Sequence, residues 1–508
     1  MKRYLILLMI GITTVSSSAA QETVVTPVDA YRSVVKSIDT TNYSKAARQL
    51  RRWMVANDPH YPVYHFTSPV GWFNDPHPIY YRGKYHVFYN ADFFPTKRRP
   101  FDNICWGHVV SDDLVHWVDW PVAIWPDTQY DRRGVYSGNM FVDNKGNLCG
   151  LYTGNVRGHG ETYGMLVRSM DGGLSFQKKM VMDDRQRPNA NSPVHWDGYL
   201  WKEGDTWCQL IGGSPGGKTA RGAAWLWKSS DLIHWELQTN IAPAIRLGKF
   251  WELPYLIKLD RKHVLMVGHG NPYWIGSYNK KTMVFTPDES KPRYIDAGNY
   301  YAFNPNMIDD KGPGGGKRRI LHAWVTGPRT PTKAVPSWQG ASAVPRVLRL
   351  AGNRIWQDPI PEIQALRGKH YSFSDPKRKD LLTGIKSDTL ELKATFAPGS
   401  ARSFGIKLRV SPDGRKFTRV YFDTVSRTFG VDGQALKKGR QQSHLKPEED
   451  VTMHIFLDRS IIEVYVNGSA QTARTFPAPE ALGLDIFSEG GEATLESLDI
   501  WEMKSMWE

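Results

Sequence analysis

The stretch SDDLVHW (residues 111–117) recurs as SMDGGLSF (169–176) and again as SSDLIHW (229–235). The closing aromatics Trp117, Phe176 and Trp235 stand 59 residues apart each time, and SYNKKTMVF (277–285) closes a weaker copy at Phe285, 50 residues later. Each copy reads as the turn and outer strand that close one β-sheet. The sequence between them is strand-rich, with short alternating runs and Gly/Asp turns; IYYRGKYHVFY (79–89) is a hairpin turning at Arg82-Gly83-Lys84. A strand-rich unit repeated at this period is a propeller blade, and counting to about residue 355 gives five of them. The repeated His116 and His234 are then structural, whatever the chemical reputation of histidine.

Outward from the repeat, the pattern changes. After about residue 370 come evenly spaced strands without the repeat (FGIKLRVS, RVYFDT, VTMHIFLD, SIIEVYVNG), which suggest a β-sandwich. The expected fold is all-β: a five-bladed β-propeller over residues 61–360, followed by a C-terminal β-sandwich over 370–508. Residues 21–60 form an extension with one short helix at 43–55, where Ala46, Leu50, Trp53 and Met54 make a stripe and Asn57-Asp58-Pro59 ends it. Residues 1–20 read as a secretory signal peptide: Lys2 and Arg3, an apolar run from Tyr4 to Ile10, then small residues with cleavage near Ala20. The mature chain is expected to be secreted or periplasmic, without a membrane span, and without a lipid anchor because no cysteine stands near the cleavage site.

Composition sets further bounds. Hydrophobic residues make up 41% and charged residues 23% of 508, an ordinary globular balance, while 19 Trp and 23 Tyr suit either sugar faces or an all-β core. Cys105, Cys149 and Cys208 allow one disulfide at most, and the last two sit in apolar strand-like runs as small hydrophobes. Loss of the signal peptide lowers the formal charge from +14 to +12 by removing Lys2 and Arg3. The basic clusters 97–99 and 317–319 are scattered, so they read as solvated faces; nucleic acid is not an expected partner. GPGGGKRR (312–319) lacks phosphate-loop spacing and reads as a hairpin tip, and no metal-ligand motif appears, so neither metal nor cofactor is expected.

The chemistry comes from acids at matching places. In GWFNDPHP (71–78) Asp75 stands at a strand start; alone, Asn-Asp-Pro is a capping or turn aspartate. With four short strands per blade, the strand lining the central channel begins roughly forty residues before each closing aromatic. Counting back reaches Asp75, then Tyr136-Ser137-Gly138-Asn139, Asp197 and Glu252. Three acids from three blades therefore point toward one funnel. Converging carboxylates without a metal suggest glycoside hydrolysis: a retaining enzyme needs an ionised nucleophile and a protonated acid about 5–5.5 Å apart, and a third acid can hold sugar hydroxyls and developing charge. Trp72, Trp106, Trp196, Trp201 and Trp251 lie near these positions as candidate stacking walls for an oligo- or polysaccharide.

From about residue 64 onward the chain resembles glycoside hydrolase family 32, the invertases, inulinases and levanases. HFTSPVGWFNDPHPIYYRGKYHVFYN is similar to the family's opening block, WGHVVSDDLVHW to the next, Tyr136-Ser137-Gly138 to its Phe-Ser-Gly, and FWELP (250–254) to the acid/base segment. GASAVPRVLRL and IFLDRSIIEVYVNG match the end of the propeller and the sandwich. The resemblance implies Asp75 as nucleophile, Glu252 as acid/base and Asp197 as transition-state stabiliser. It implies a sugar subsite including Trp72, Asn74, Asn90, Trp106, Tyr136, Ser137, Trp196 and Trp251. Four positions depart from the family: His77-Pro78 replaces Asn-Gly, Leu253 replaces a cysteine, Asn90 replaces the common Gln, and the Arg-Asp-Pro block is not intact. HWDGYLW placed opposite that block gives Asp197 with Trp196 in place of Arg; a competing register gives Asn191-Ser192-Pro193 and no acid. His77 reads as a substrate contact or as a turn or supporting residue, and Asp458 and Glu463 as structural. The implied activity is an exported retaining β-fructosidase. The alternatives are a five-bladed glycosidase of arabinose- or xylose-containing glycans and a non-catalytic glycan binder.

Overall fold

The computed structural model describes residues 26–95, 103–216, 221–333, 335–374, 382–432 and 440–507. The signal segment 1–20 and the basic cluster 97–99 lie outside the described residues. Five antiparallel sheets follow one another along the first part of the chain. Their innermost strands are Gly71–Tyr81, Gly134–Val142, Tyr199–Glu203, Pro254–Leu259 and Tyr300–Asp309, one per blade, and each blade runs outward through its next strands in order. The ring closes without a covalent link: Trp338–Gln339, from the connection inside the fifth blade, pairs parallel with Gly71 and Trp72 of the first. Two further sheets, of six and five strands, form the C-terminal sandwich, beginning at Arg367. An apolar core that includes Leu390, Phe404, Ile455 and Leu498 fills it.

The recurring segment is a side-chain-made turn between the third and fourth strands of a blade. Asp113 Oδ1 accepts the N–H groups of Val115 and His116, and its Oδ2 lies 2.7 Å from His116 Nδ1. Asp231 repeats this with Ile233 and His234, Asp171 with Leu174 and Ser175, and Asn279 with Lys281 and Thr282. A left-handed residue follows within each turn: Leu114 (φ 67°), Gly173 (φ 105°), Leu232 (φ 70°) and Met283 (φ 57°). Short polar side chains that bond their own downstream backbone make this turn, which is why an Asp or Asn recurs with the period of the blade.

Ahead of the propeller stand two helices, Pro27–Val34 and Thr40–Asn57. The second starts earlier than the 43–55 stripe because Asp39 caps it by accepting from Asn42 N. Arg51 on its buried face pairs with both Asp119 oxygens (2.7 and 2.8 Å), clamping the extension to the outer strand of the first blade. Only part of the 317–319 cluster is a solvated face: Lys317 is exposed, but the two arginines are engaged. Arg318 is buried against Asp309 and Glu362, and Arg319 donates to Pro305 O. Residues 313–315 do form the hairpin tip. All three cysteines are free and buried.

Candidate active site

Each innermost strand breaks its regular pattern near its start. The register of the first shifts between Asn74 and Pro76, with Asp75 left-handed at φ 39°. The second shifts between Val135 and Gly138, and the fifth between Tyr301 and Asn304, with Ala302 at φ 47°. Asp197 (φ 51°) and Leu253 (φ 50°) do the same just ahead of the third and fourth. Non-glycine residues in this region carry strain of order 1–3 kcal/mol each and gather where side chains must be aimed. Here the breaks turn Asp75, Ser137, Asp197, Glu252 and Tyr301 out of strand alternation at one end of the central channel.

The carboxylates feel one another. Burial pushes Asp75 up to about 7, the Ser137 hydroxyl pulls it back, and the Glu252 charge adds to the rise. Asp197 is raised well above the usual range, first by burial and then by Glu252 and Asp75. They differ in their partners. Ser137 Oγ donates to Asp75 Oδ2, and Asn90 Nδ2 donates to Ser137 Oγ at 2.8 Å. Tyr301 donates its hydroxyl to Glu252 Oε2 at 2.5 Å, and His269 Nδ1 lies 3.2 Å from that hydroxyl and 3.8 Å from the carboxylate. Burial and the Glu252 charge push the Tyr301 phenol up, so it remains a donor. Asp197 is held from behind: its N–H donates to Thr153 Oγ1 (3.2 Å), which lies 2.9 Å from His195 Nδ1. Burial lowers His195 to about 3, leaving it neutral.

The two registers place different residues at the third position. Ser192 is buried and engaged with Ser214 and Trp225, whereas Asp197 stands in the field of the other two acids. Trp196 meets Tyr136 (ring centroids 6.0 Å apart) and His159 (3.9 Å), whose ring also stacks on Phe250. Trp72 is half-buried against Trp324, which in turn meets Tyr301. Among the described residues, buried Asn74 Oδ1 has no hydrogen-bond partner.

Three aromatic expectations are corrected. Trp251 is core: it is 2% exposed and donates to Leu247 O. Trp106 is fully enclosed, with its ring on His77 and Tyr152, and offers no free face. Trp201 stacks on the buried Tyr199 and donates to Glu203. Asn90 holds Ser137 and His77 by its amide rather than being free for a sugar. The residues that sequence reading missed are Tyr301, His269, His159 and Thr153. Tyr301 stands at the break in the fifth blade's innermost strand, but residues 326–345 intervene before that blade's third strand, so counting back from a closing aromatic does not reach it. Among the described residues, no group of three or more His, Cys, Asp or Glu could hold a metal, and no helix is long and apolar enough to cross a membrane.

A carboxylate with a hydroxyl donor, a second carboxylate held by a phenol and a third buried in their field can attack an acetal carbon, protonate its leaving oxygen and stabilise the developing positive charge. Comparison with known proteins agrees. The family profile "Glycosyl hydrolases family 32 N-terminal domain" matches residues 65–359, and "Glycosyl hydrolases family 32 C terminal" matches 362–502. A sucrose-6-phosphate hydrolase of Bacillus subtilis is 30% identical over 462 residues, covering 84% of this chain and 91% of its own. A levanase of the same organism is 26% identical over 500 residues, covering 88% and 71%. The sucrose-6-phosphate hydrolase structure from Lactobacillus gasseri shares the fold at TM-score 0.76 and 24% identity, over 95% of this chain and 99% of that one. The chain belongs to glycoside hydrolase family 32 and is a glycoside hydrolase of the β-fructofuranosidase type.

Proposed function

We propose that this protein is an exported β-fructosidase that releases fructose from sucrose or from inulin- or levan-type fructans by double displacement. Asp75 attacks the anomeric carbon while Glu252 protonates the leaving oxygen; Glu252 then takes a proton from water, which hydrolyses the fructosyl ester. Asp197 supports the ring as positive charge develops. The observation that carries this reading is the division of hydroxyl donors: Ser137 serves Asp75 and Tyr301 serves Glu252. Attack requires Asp75 ionised. Burial raises it and Ser137 opposes that rise, so kcat/KM falls as pH drops through about 7. Export rests on the leader-like residues 1–20.

The test is product analysis of wild type and Asp75→Asn on sucrose, inulin and levan, with sucrose 6-phosphate, arabinan and arabinoxylan alongside. Free fructose from the wild type, reduced by about four orders of magnitude in the variant, supports the reading. Cleavage confined to the phosphorylated sugar would replace the substrate, and cleavage confined to the pentose glycans would replace the sugar class.

A further inference from the structure

Two of the departures from the family pattern, His77 and Asn90, lie thirteen residues apart in sequence and touch each other: His77 Nε2 is 3.2 Å from Asn90 Oδ1. The contact belongs to a row that continues from Asn90 Nδ2 to Ser137 Oγ and from Ser137 Oγ to Asp75 Oδ2. We propose that His77 is a positioning residue for the nucleophile: it fixes the orientation of the Asn90 amide and so obliges the Ser137 hydroxyl to donate to Asp75.

The count of donors and acceptors sets the direction of the row. A serine hydroxyl has one proton. If Asn90 presents its N–H₂ to Ser137, the hydroxyl accepts there and its proton goes to Asp75. Were the amide reversed, its oxygen would capture that proton and Asp75 would lose its donor. Which way the amide points is decided at its far end. His77 is 1% exposed, its ring lies on Trp106 with centroids 4.3 Å apart, and burial lowers it to about 3. A neutral imidazole carries one N–H; the Gly138 backbone lies beside the ring, but among the described residues Nδ1 makes no hydrogen bond of good geometry, whereas Nε2 faces Asn90 Oδ1. With the proton on Nε2, His77 donates to Asn90 Oδ1, and every subsequent link runs toward Asp75. The shorter amide at 90 and the longer side chain at 77 thus form one unit. Ser137 stabilises the charged form of Asp75 against Glu252 and Asp197, and the phenols of Tyr255 and Tyr301 also lie in its field.

The inference rests on Asp75 being the nucleophile. The experiment is the pH profile of kcat and KM for wild type, Asp75→Asn, His77→Phe, His77→Gln, Ser137→Ala and the His77→Phe/Ser137→Ala double variant. The substrate is whichever of sucrose, inulin and levan the wild type cleaves fastest. Phe keeps the stack on Trp106 and removes the donor; Gln restores a donor. In His77→Phe, kcat should fall roughly ten- to hundredfold with KM little changed, the size of losing a hydrogen bond to a charged group. Its acid limb should move up by about one pH unit, because a less stabilised carboxylate ionises later. His77→Gln should recover most of both, and His77→Phe should add nothing in the Ser137→Ala background. An inactive Asp75→Asn beside a His77→Phe profile equal to wild type would overturn the relay alone. So would a His77→Phe effect that persists undiminished without Ser137. Retained activity in Asp75→Asn would overturn the nucleophile and the relay with it.

Discussion

Asp197 is a carboxyl placed where charge is expensive, and the expense is measurable. Burial and its two acidic neighbours raise it in the folded protein, while an unfolded chain ionises it near about 3.9. Above that value the folded state still holds a proton that the unfolded state has lost, so this group's contribution to stability falls as pH rises toward the folded value. Asp197→Asn should therefore melt higher at pH 7, by roughly 2–4 °C, with the gain vanishing near pH 3.5 and activity lost at every pH. Scanning calorimetry across that range checks it; a variant that melts lower at pH 7 would contradict the assignment. The same scale shows what sequence leaves hidden. Asp75, Asp197 and Glu252 are legible because acids recur 42, 38 and 33 residues ahead of the closing aromatics, but an aromatic beside an acid does not reveal which face it takes. Trp251 and Trp106 went inward for that reason.

At the scale of elements, the repeated turn is the most legible feature because its chemistry needs particular residues at particular steps. Asp231 holds the N–H groups of Ile233 and His234, so Asp231→Ala should destabilise the third blade by about 1 kcal/mol. His234→Ala and His116→Ala should leave kcat/KM unchanged, since both rings sit on turn aspartates at blade edges. Chemical denaturation and initial rates on the cleaved fructoside distinguish these outcomes, and lost activity in either histidine variant would contradict the structural reading. The innermost strands were less legible. Their bulges obey no residue rule that sequence displays: Ala302 and Leu253 adopt left-handed backbone without being Gly or Asn. Tyr301 was missed for want of register, not of a chemical signal.

The whole molecule is joined by buried charge between propeller and sandwich. Asp458 accepts the N–H groups of Val63, Tyr64 and His65, and His65 lies between Asp458 (2.9 Å) and Glu463 (3.1 Å). Glu463 also meets Arg346, which continues to Asp296. Burial opposes charge on His65, but the two carboxylates outweigh it and raise it to about 9. Burial likewise opposes charge on Glu463, yet His65 and Arg346 bring it down to about 2. The histidine's contribution is whole below about pH 6.5 and is lost as pH rises through about 9; the glutamate's is whole above about 4.5 and is lost as pH falls through about 2. His65→Gln should lower the first melting transition by about 3–5 kcal/mol equivalent at pH 6 and flatten its alkaline slope. An unchanged slope between pH 6.5 and 9 would remove His65 from the account. Sequence reading placed Asp458 and Glu463 in structural roles, but their partner lies some 400 residues upstream, a distance only the fold closes.

The most direct test of the central claim is to trap the intermediate. A Glu252→Ala variant supplied with β-fructofuranosyl fluoride needs no acid for the first step and lacks the base for the second, so a fructosyl-enzyme should accumulate. Intact mass should rise by one anhydrohexose per chain, and peptide mapping should place it on Asp75. An adduct on Asp197, or slow turnover giving inverted fructose with no adduct on any residue, would contradict the double displacement and the role of Asp75.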